Sequence, residues 1–146
     1  MDFQQVSLEE WEYATREGLS GKRYPWGDKL THDDANDWGT GGKDKWEYCA
    51  PVGSFESNGY GLYDMAGNTW EWCADWYNGN YYSNSPTKDP LGPDKGQLFD
   101  WGGPYRVLRG GSWANGTNRL RVPYCFCNTL NNRYFNSGFR CVSGSN

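Results

Sequence analysis

The chain has 146 residues, of which 36% are hydrophobic and 18% aromatic, and a formal charge of −4. That length suits one domain and leaves little room for two. No run approaches the roughly 18 apolar residues of a membrane helix, the polar, acidic start does not read as a signal peptide, and nine Trp with eleven Tyr argue against disorder.

In chain order, Ser7 followed by Glu10 forms a capping box, and Leu8 and Trp11 with Ala14 or Thr15 form an apolar face. A helix is predicted over about residues 7–17, ended by Gly18. Residues 21–59 read as loop, apart from a short extended segment from Ala50 to Phe55. Residues 61–68 predict a tight turn. The alternation in 69–77 then predicts a strand with Trp70, Trp72, Ala74 and Trp76 on one side. Residues 78–104 read as a polar Gly/Pro/Asn loop, too long for a simple connector. Residues 106–113 predict a strand ending in a glycine turn at Gly110 and Gly111, and 137–142 a last short strand. One helix, short strands and long loops make the expected class α+β.

With so few Leu, Ile and Val, the aromatics are expected to supply most of the core. All 18 acidic residues lie in residues 1–100, whereas 101–146 carry six Arg and no Asp, Glu or Lys. The Arg residues are spread out, so they read as partners for carboxylates and carbonyls of the acidic part, and nucleic acid is not expected as a ligand. The five cysteines (Cys49, Cys73, Cys125, Cys127 and Cys141) are odd in number and lack zinc spacing, so they read as buried or incidental thiols. His32 stands alone and reads as a solvated surface residue.

The run Gly61-Leu62-Tyr63-Asp64-Met65-Ala66-Gly67-Asn68-Thr69-Trp70-Glu71-Trp72, with Arg109-Gly110-Gly111-Ser112-Trp113 and Gly138-Phe139-Arg140, resembles the formylglycine-generating (sulfatase-modifying factor) family. Glu9 to Ala14 and Tyr24-Pro25-Trp26-Gly27 match it too, in the same order, so the likeness covers nearly the whole chain. It implies an elaborated C-type lectin fold, with residues 1–146 as a single such domain. That family normally carries a longer part before this helix. The oxidase members place cysteines three and eight residues beyond the Ser of the glycine turn. Here those positions are Asn115 and Leu120. Neither can bind copper(I) or act as a thiolate, so no copper and no catalysis are expected.

The segment 109–140 also resembles the variable region of target proteins of diversity-generating retroelements. Its fixed anchors would be Gly110 to Trp113, Leu120-Arg121-Val122, Arg133 and Gly138-Phe139-Arg140; Cys125 departs from the Arg often found there. The resemblance implies a scaffold, 1–112, and a variable ligand-binding segment, 113–137. Such retroelements mutate adenines, typically in Asn codons ending in a pyrimidine, and changes at the first two bases cannot produce Lys, Gln, Glu, Met or Trp. Residues 1–112 contain 26 of those five types, and at that rate 114–146 should hold about eight. They hold none.

The candidate ligand-binding residues are Ala114, Asn115, Tyr124, Phe126, Cys127, Asn128, Thr129, Asn132, Tyr134, Phe135 and Asn136, all reachable from an Asn codon. Tyr and Phe give stiff contact area, and Asn, Thr and Ala give adaptable contacts, a composition like that of an antibody paratope. The expected partner is a protein or another surface ligand. A formylglycine-generating-type oxidase using Cys125 or Cys127 is the rival reading. A sugar-binding lectin is weaker still, since no Glu-Pro-Asn motif is present.

The first resemblance also implies structural calcium. Asn36 and Asp44, with carbonyls near Asp37 and Trp46, match one site of the family, and Asp64 and Glu71, with carbonyls near Gly67 and Thr69, match another. The alternative stays open that these carboxylates cap turns and pair with the C-terminal Arg residues.

Overall fold

A computed structural model describes residues 3–83, 85, 92–99 and 103–143. Helix α1 spans Leu8–Arg16. Its capping box is formed as expected: the Glu10 N–H donates to Ser7 Oγ at 3.2 Å and the Ser7 N–H to Glu10 Oε2 at 2.8 Å. Left-handed Glu17 ends it, donating back to the Tyr13 carbonyl, and Gly18 follows, also at positive φ. Leu8, Trp11 and Thr15 are buried, while Ala14 is only half-buried.

Among the described residues six strands accompany the helix: β1 Phe3–Gln5, β2 Trp70–Trp76, β3 Tyr105–Arg109, β4 Phe126–Thr129, β5 Ser137–Phe139 and β6 Cys141–Ser143. The central sheet has the order β4-β3-β2-β5, antiparallel except for the parallel pairing of β2 with β5. A second, two-stranded sheet pairs β1 with β6. The sequence pattern missed β1 and β4, both too short for an alternation to register.

The strands depart from expectation at three points. The strand predicted over 137–142 is two strands in different sheets, separated at Arg140, whose side chain turns in to Glu71. The segment from Ala50 to Phe55 is no strand. It turns back on itself, with the Ser54 N–H and hydroxyl both donating to the Pro51 carbonyl.

The third concerns β2, whose alternation is real but whose faces are inverted. Glu71, Cys73 and Asp75 are buried with Trp70, while Trp72, Ala74 and Trp76 are half-buried. Helix α1 covers the first face and satisfies its carboxylates: Trp11 Nε1 donates to Glu71 Oε2 at 2.7 Å, and the Leu8 N–H to Asp75 Oδ2 at 2.6 Å. A carboxylate with such partners tolerates burial better than one left bare.

The core is less aromatic than composition predicts. One buried cluster gathers Val6, Leu8, Trp11, Met65, Cys73 and Val107, and another Tyr24, Ala35, Ala66 and Leu120. Val6, Leu8, Val107, Leu108, Leu120 and Val122 are buried, whereas Val52, Leu98 and Leu130 are exposed, and many rings, such as Tyr13, Trp38, Tyr48 and Phe135, clad the surface. Several C-terminal Arg residues do bind the acidic part. Arg109, itself buried, pairs with Glu12, donates to the Tyr124 carbonyl and lies over the Trp11 ring. Among the described residues no helix is long and apolar enough to cross a membrane.

Candidate functional site

The site grows from the end of β3. Gly110 and Gly111 follow at φ 89° and 76°. A Cβ on Gly111 would lie 2.8 Å from Leu120 Cδ1, so only glycine fits between the turn and that buried leucine. A second tight point is Gly67, at φ 83°, where a Cβ would come 2.3 Å from the Asn36 carbonyl oxygen. There the Gly67 N–H donates to the Gly110 carbonyl, and the Asn68 N–H to that of Asn36. The 61–68 turn thus ties the glycine turn to the loops, and the Trp113 N–H donates to the Asn68 carbonyl.

Ser112 is fully buried. Its hydroxyl donates to Asn115 Oδ1 at 2.8 Å and accepts from Asn136 Nδ2 at 2.9 Å. Trp113, half-buried, is flanked by two rings. Tyr48 meets it edge-on, with centroids 5.0 Å apart and planes at 76°, and Phe135 is tilted against it at 5.7 Å. A second aromatic group forms where Trp70 packs on Phe126 at 5.2 Å and on Tyr124 at 6.1 Å.

The eleven candidate binding residues separate by exposure. Ala114, Phe126, Asn132, Tyr134 and Phe135 are exposed, and Tyr124, Cys127, Thr129 and Asn136 are half-buried. Tyr134 is 50% and Phe135 78% exposed, so neither is core. Asn115 and Asn128 do not join that surface. Asn115 is 8% exposed, bonded to Ser112, and its carbonyl accepts from the Trp38 N–H. Asn128 is buried, its Oδ1 accepting from Asn132 Nδ2 and the Thr129 N–H. Both hold loops together from inside.

Two open cavities flank this segment. One, of about 770 Å³, lies on the half-buried face of the central sheet and includes Trp72, Arg106, Asn132, Tyr134 and Phe139. The other, of about 650 Å³, is lined by Trp38, Gly39, Thr40, Lys45, Glu47, Tyr48 and Trp113. Trp38 and Tyr48 escaped the sequence reading; the one available signal was a Trp set in the polar, Gly-rich run from Asn36 to Gly42.

The calcium candidates also divide. Asn36 and Asp44 are buried side by side, with Asn36 Nδ2 3.4 Å from Asp44 Oδ1 and 2.9 Å from the Tyr48 carbonyl. Asn36 Oδ1 is buried without a partner. His32 is half-buried and does not stand alone: its Nδ1 lies 2.9 Å from Asp37 Oδ1 and 3.9 Å from Asp44 Oδ2. Burial, with help from Asp44, pushes the Asp37 carboxyl up, against the pull of His32. Buried oxygens with an orphan amide oxygen among them fit a hard cation. Glu71 fits one poorly, because its charge already meets a cation: Arg140 holds Oε1 at 2.7 Å and also bonds Oε2, to which Trp11 donates as well. Asp64 caps a turn, accepting from the Gly53 N–H. For this second pair the structure shows the alternative that the sequence left open.

All five cysteines are free thiols. Burial pushes the Cys73 and Cys125 thiols up and Cys127 to about 11, so none of the three is poised as a thiolate.

A mixed sheet covered by one helix, with a loop-built surface around a glycine turn, defines an α+β domain of the formylglycine-generating C-type lectin kind. The family model for the sulfatase-modifying factor enzyme 1-like domain matches residues 5–144, and the chain belongs to that family. It is 44% identical to a formylglycine-generating enzyme of Streptomyces coelicolor, over 92% of this chain and 44% of that protein. It is 38% identical to the inactive C-alpha-formylglycine-generating enzyme 2 of Mus musculus, over 94% of this chain and 42% of that one. Among solved structures, Treponema denticola variable protein 1 superposes with a TM-score of 0.77 at 30% identity, covering 95% of this chain and 46% of that one. The chain thus spans less than half the length of the curated relatives it matches.

Proposed function

We propose that this protein is a ligand-binding protein without oxidase chemistry, whose C-terminal surface is diversified by a retroelement. The observation that carries the reading is the state of the two positions where the oxidases keep cysteines. Asn115 is buried and bonded to Ser112, and Leu120 is buried in a cluster with Tyr24, Ala35 and Ala66. Both positions serve packing and loop closure. The likeness to a variable protein supports the same reading. So does the exposure of Phe126, Tyr134 and Phe135 beside Asn132, rigid anchors among adaptable polar groups.

Calcium belongs to this proposal as a structural ion. Asn36 Oδ1 and the Asp44 carboxylate would hold it, cross-linking loops that carry Trp38 and Tyr48. Its contribution would be a fixed charge that binds oxygen ligands together, with no part in chemistry.

The test is made on the gene. A near-copy of the codons for residues 109–140, differing only where the copy has adenine and lying near a reverse transcriptase gene, is the expected finding. Absence of a copy overturns the diversification. The second reading, a thiol-dependent oxidase, draws on the relatives named as formylglycine-generating enzymes. Copper(I) titration decides it: tight binding lost on Cys125→Ser or Cys127→Ser restores the enzyme.

A further inference from the structure

We propose that the cleft of Trp38, Tyr48 and Trp113 is a subsite for a compact organic cation, the alkylammonium or guanidinium end of a side chain on a protein ligand. The inference rests on the binding-protein reading and assigns a chemistry to one part of that surface.

Three features carry it. Trp38 is 76% and Tyr48 62% exposed, yet both line one cavity with Trp113. Bare rings gathered around a common volume mark an interaction site more than scattered surface aromatics do. Next, two of the rings meet at a steep angle. Tyr48 and Trp113 are inclined at 76°, so they form a corner rather than a platform. A flat ligand ring stacks best on one open face, whereas a corner places more than one π system around a small cation. Finally, a carboxylate, that of Glu47, lines the cleft. Lys45, on the same lining, is the opposing charge, borne on a flexible stem.

The corner is also held in place. The Trp113 N–H donates to the Asn68 carbonyl, the Trp38 N–H to the Asn115 carbonyl, and the Tyr48 carbonyl accepts from Asn36 Nδ2. All three aromatic residues are therefore anchored through their backbones, which lowers the ordering cost of binding.

The probes are choline and its uncharged isostere 3,3-dimethylbutanol, titrated into the whole chain labelled with ¹⁵N-Trp. Indole N–H signals of Trp38 and Trp113 are assigned from Trp38→Ala and Trp113→Phe. Choline is expected to shift both signals saturably, with a Kd on the order of millimolar. The neutral isostere should bind about tenfold more weakly, and Trp38→Ala should weaken choline by a similar factor. Trp38 is exposed, so this variant should keep its fold, and Tyr48→Phe, which keeps the ring, should retain choline binding. Equal binding of the isostere would show a merely apolar crevice and overturn the proposal, as would no shift with either compound. The gene comparison is independent: a retroelement copy without a choline response discards the cation subsite and keeps the diversified binder. A choline response without a copy keeps the subsite and discards the diversification.

Discussion

Arg140 and Glu71 lie 69 residues apart in sequence and make two side-chain contacts, Nη2 to Oε1 at 2.7 Å and Nε to Oε2 at 3.0 Å. Nη2 also donates to the Tyr63 carbonyl, and Trp11 Nε1 adds a further bond to Glu71. One ion pair thus joins the break between β5 and β6, the buried face of β2, the turn before it and, through Glu71, helix α1.

Removing one partner strands the other. Arg140→Ala should destabilise by about 3 kcal/mol, the cost expected of a carboxylate left mostly buried without its cation. Urea denaturation measures it. A loss under about 1 kcal/mol would mean that water replaces the guanidinium easily.

Neighbours in the candidate surface should behave oppositely. Asn115→Ala breaks the bond from the buried Ser112 hydroxyl and should cost about 1–3 kcal/mol. Asp or Ser at exposed Ala114 should change stability by less than about 0.5 kcal/mol. Thermal melts of these variants separate packing positions from positions free to vary.

Tyr134→Ala and Phe135→Ala should each leave stability within about 0.5–1 kcal/mol of the parent, because both rings are at least half exposed. Binding to a ligand selected against the parent surface should fall at least tenfold in the double variant. A large stability loss with binding retained would assign both rings to packing.

Burial pushes the Asp75 carboxyl above its ordinary 3.8, against the Leu8 N–H bond and Arg106, which favour the charged form. A carboxyl with a raised native pKa binds its proton more tightly when folded. Between 3.8 and the raised value, this group therefore makes stability fall as pH rises, and the deficit persists at neutral pH. Asp75→Asn keeps an oxygen for the Leu8 N–H and removes the titration. It should flatten that part of the pH–stability curve and match or exceed the parent at pH 7. An unchanged slope would place the titration elsewhere.

Calcium should raise the melting temperature by mass action if it binds only the folded chain. The rise should disappear in Asp44→Asn and persist in Asp64→Asn, since Asn36, whose amide oxygen is the orphan, is bonded to Asp44 through its Nδ2. An equal response in all three proteins would move the ion away from Asn36.

Helix α1 was legible because its signals are local: Ser7 and Glu10 cap each other three residues apart, and Gly18 can follow a left-handed end. The glycine turn was legible for the same reason, since a backbone at positive φ calls for glycine wherever it occurs. The position of β2 could be read from its alternation, but its inward face could not. That choice was made by Trp11 and the Leu8 N–H, 60 and 67 residues earlier, which supply donors to Glu71 and Asp75 and let carboxylates take the side a hydrophobic pattern assigns to Trp. Likewise, an Asn that could vary and an Asn that closes a loop look identical in sequence. Asn115 became structural only when the fold buried Ser112 beside it, and Trp38 and Tyr48 joined Trp113 only when long loops were tied together through Asn36, Asn68 and Asn115. Turns and caps depend on neighbours along the chain and were set by sequence alone. Burial, ion pairing and the shape of the binding surface depend on partners brought from far away, and only tertiary structure decided them.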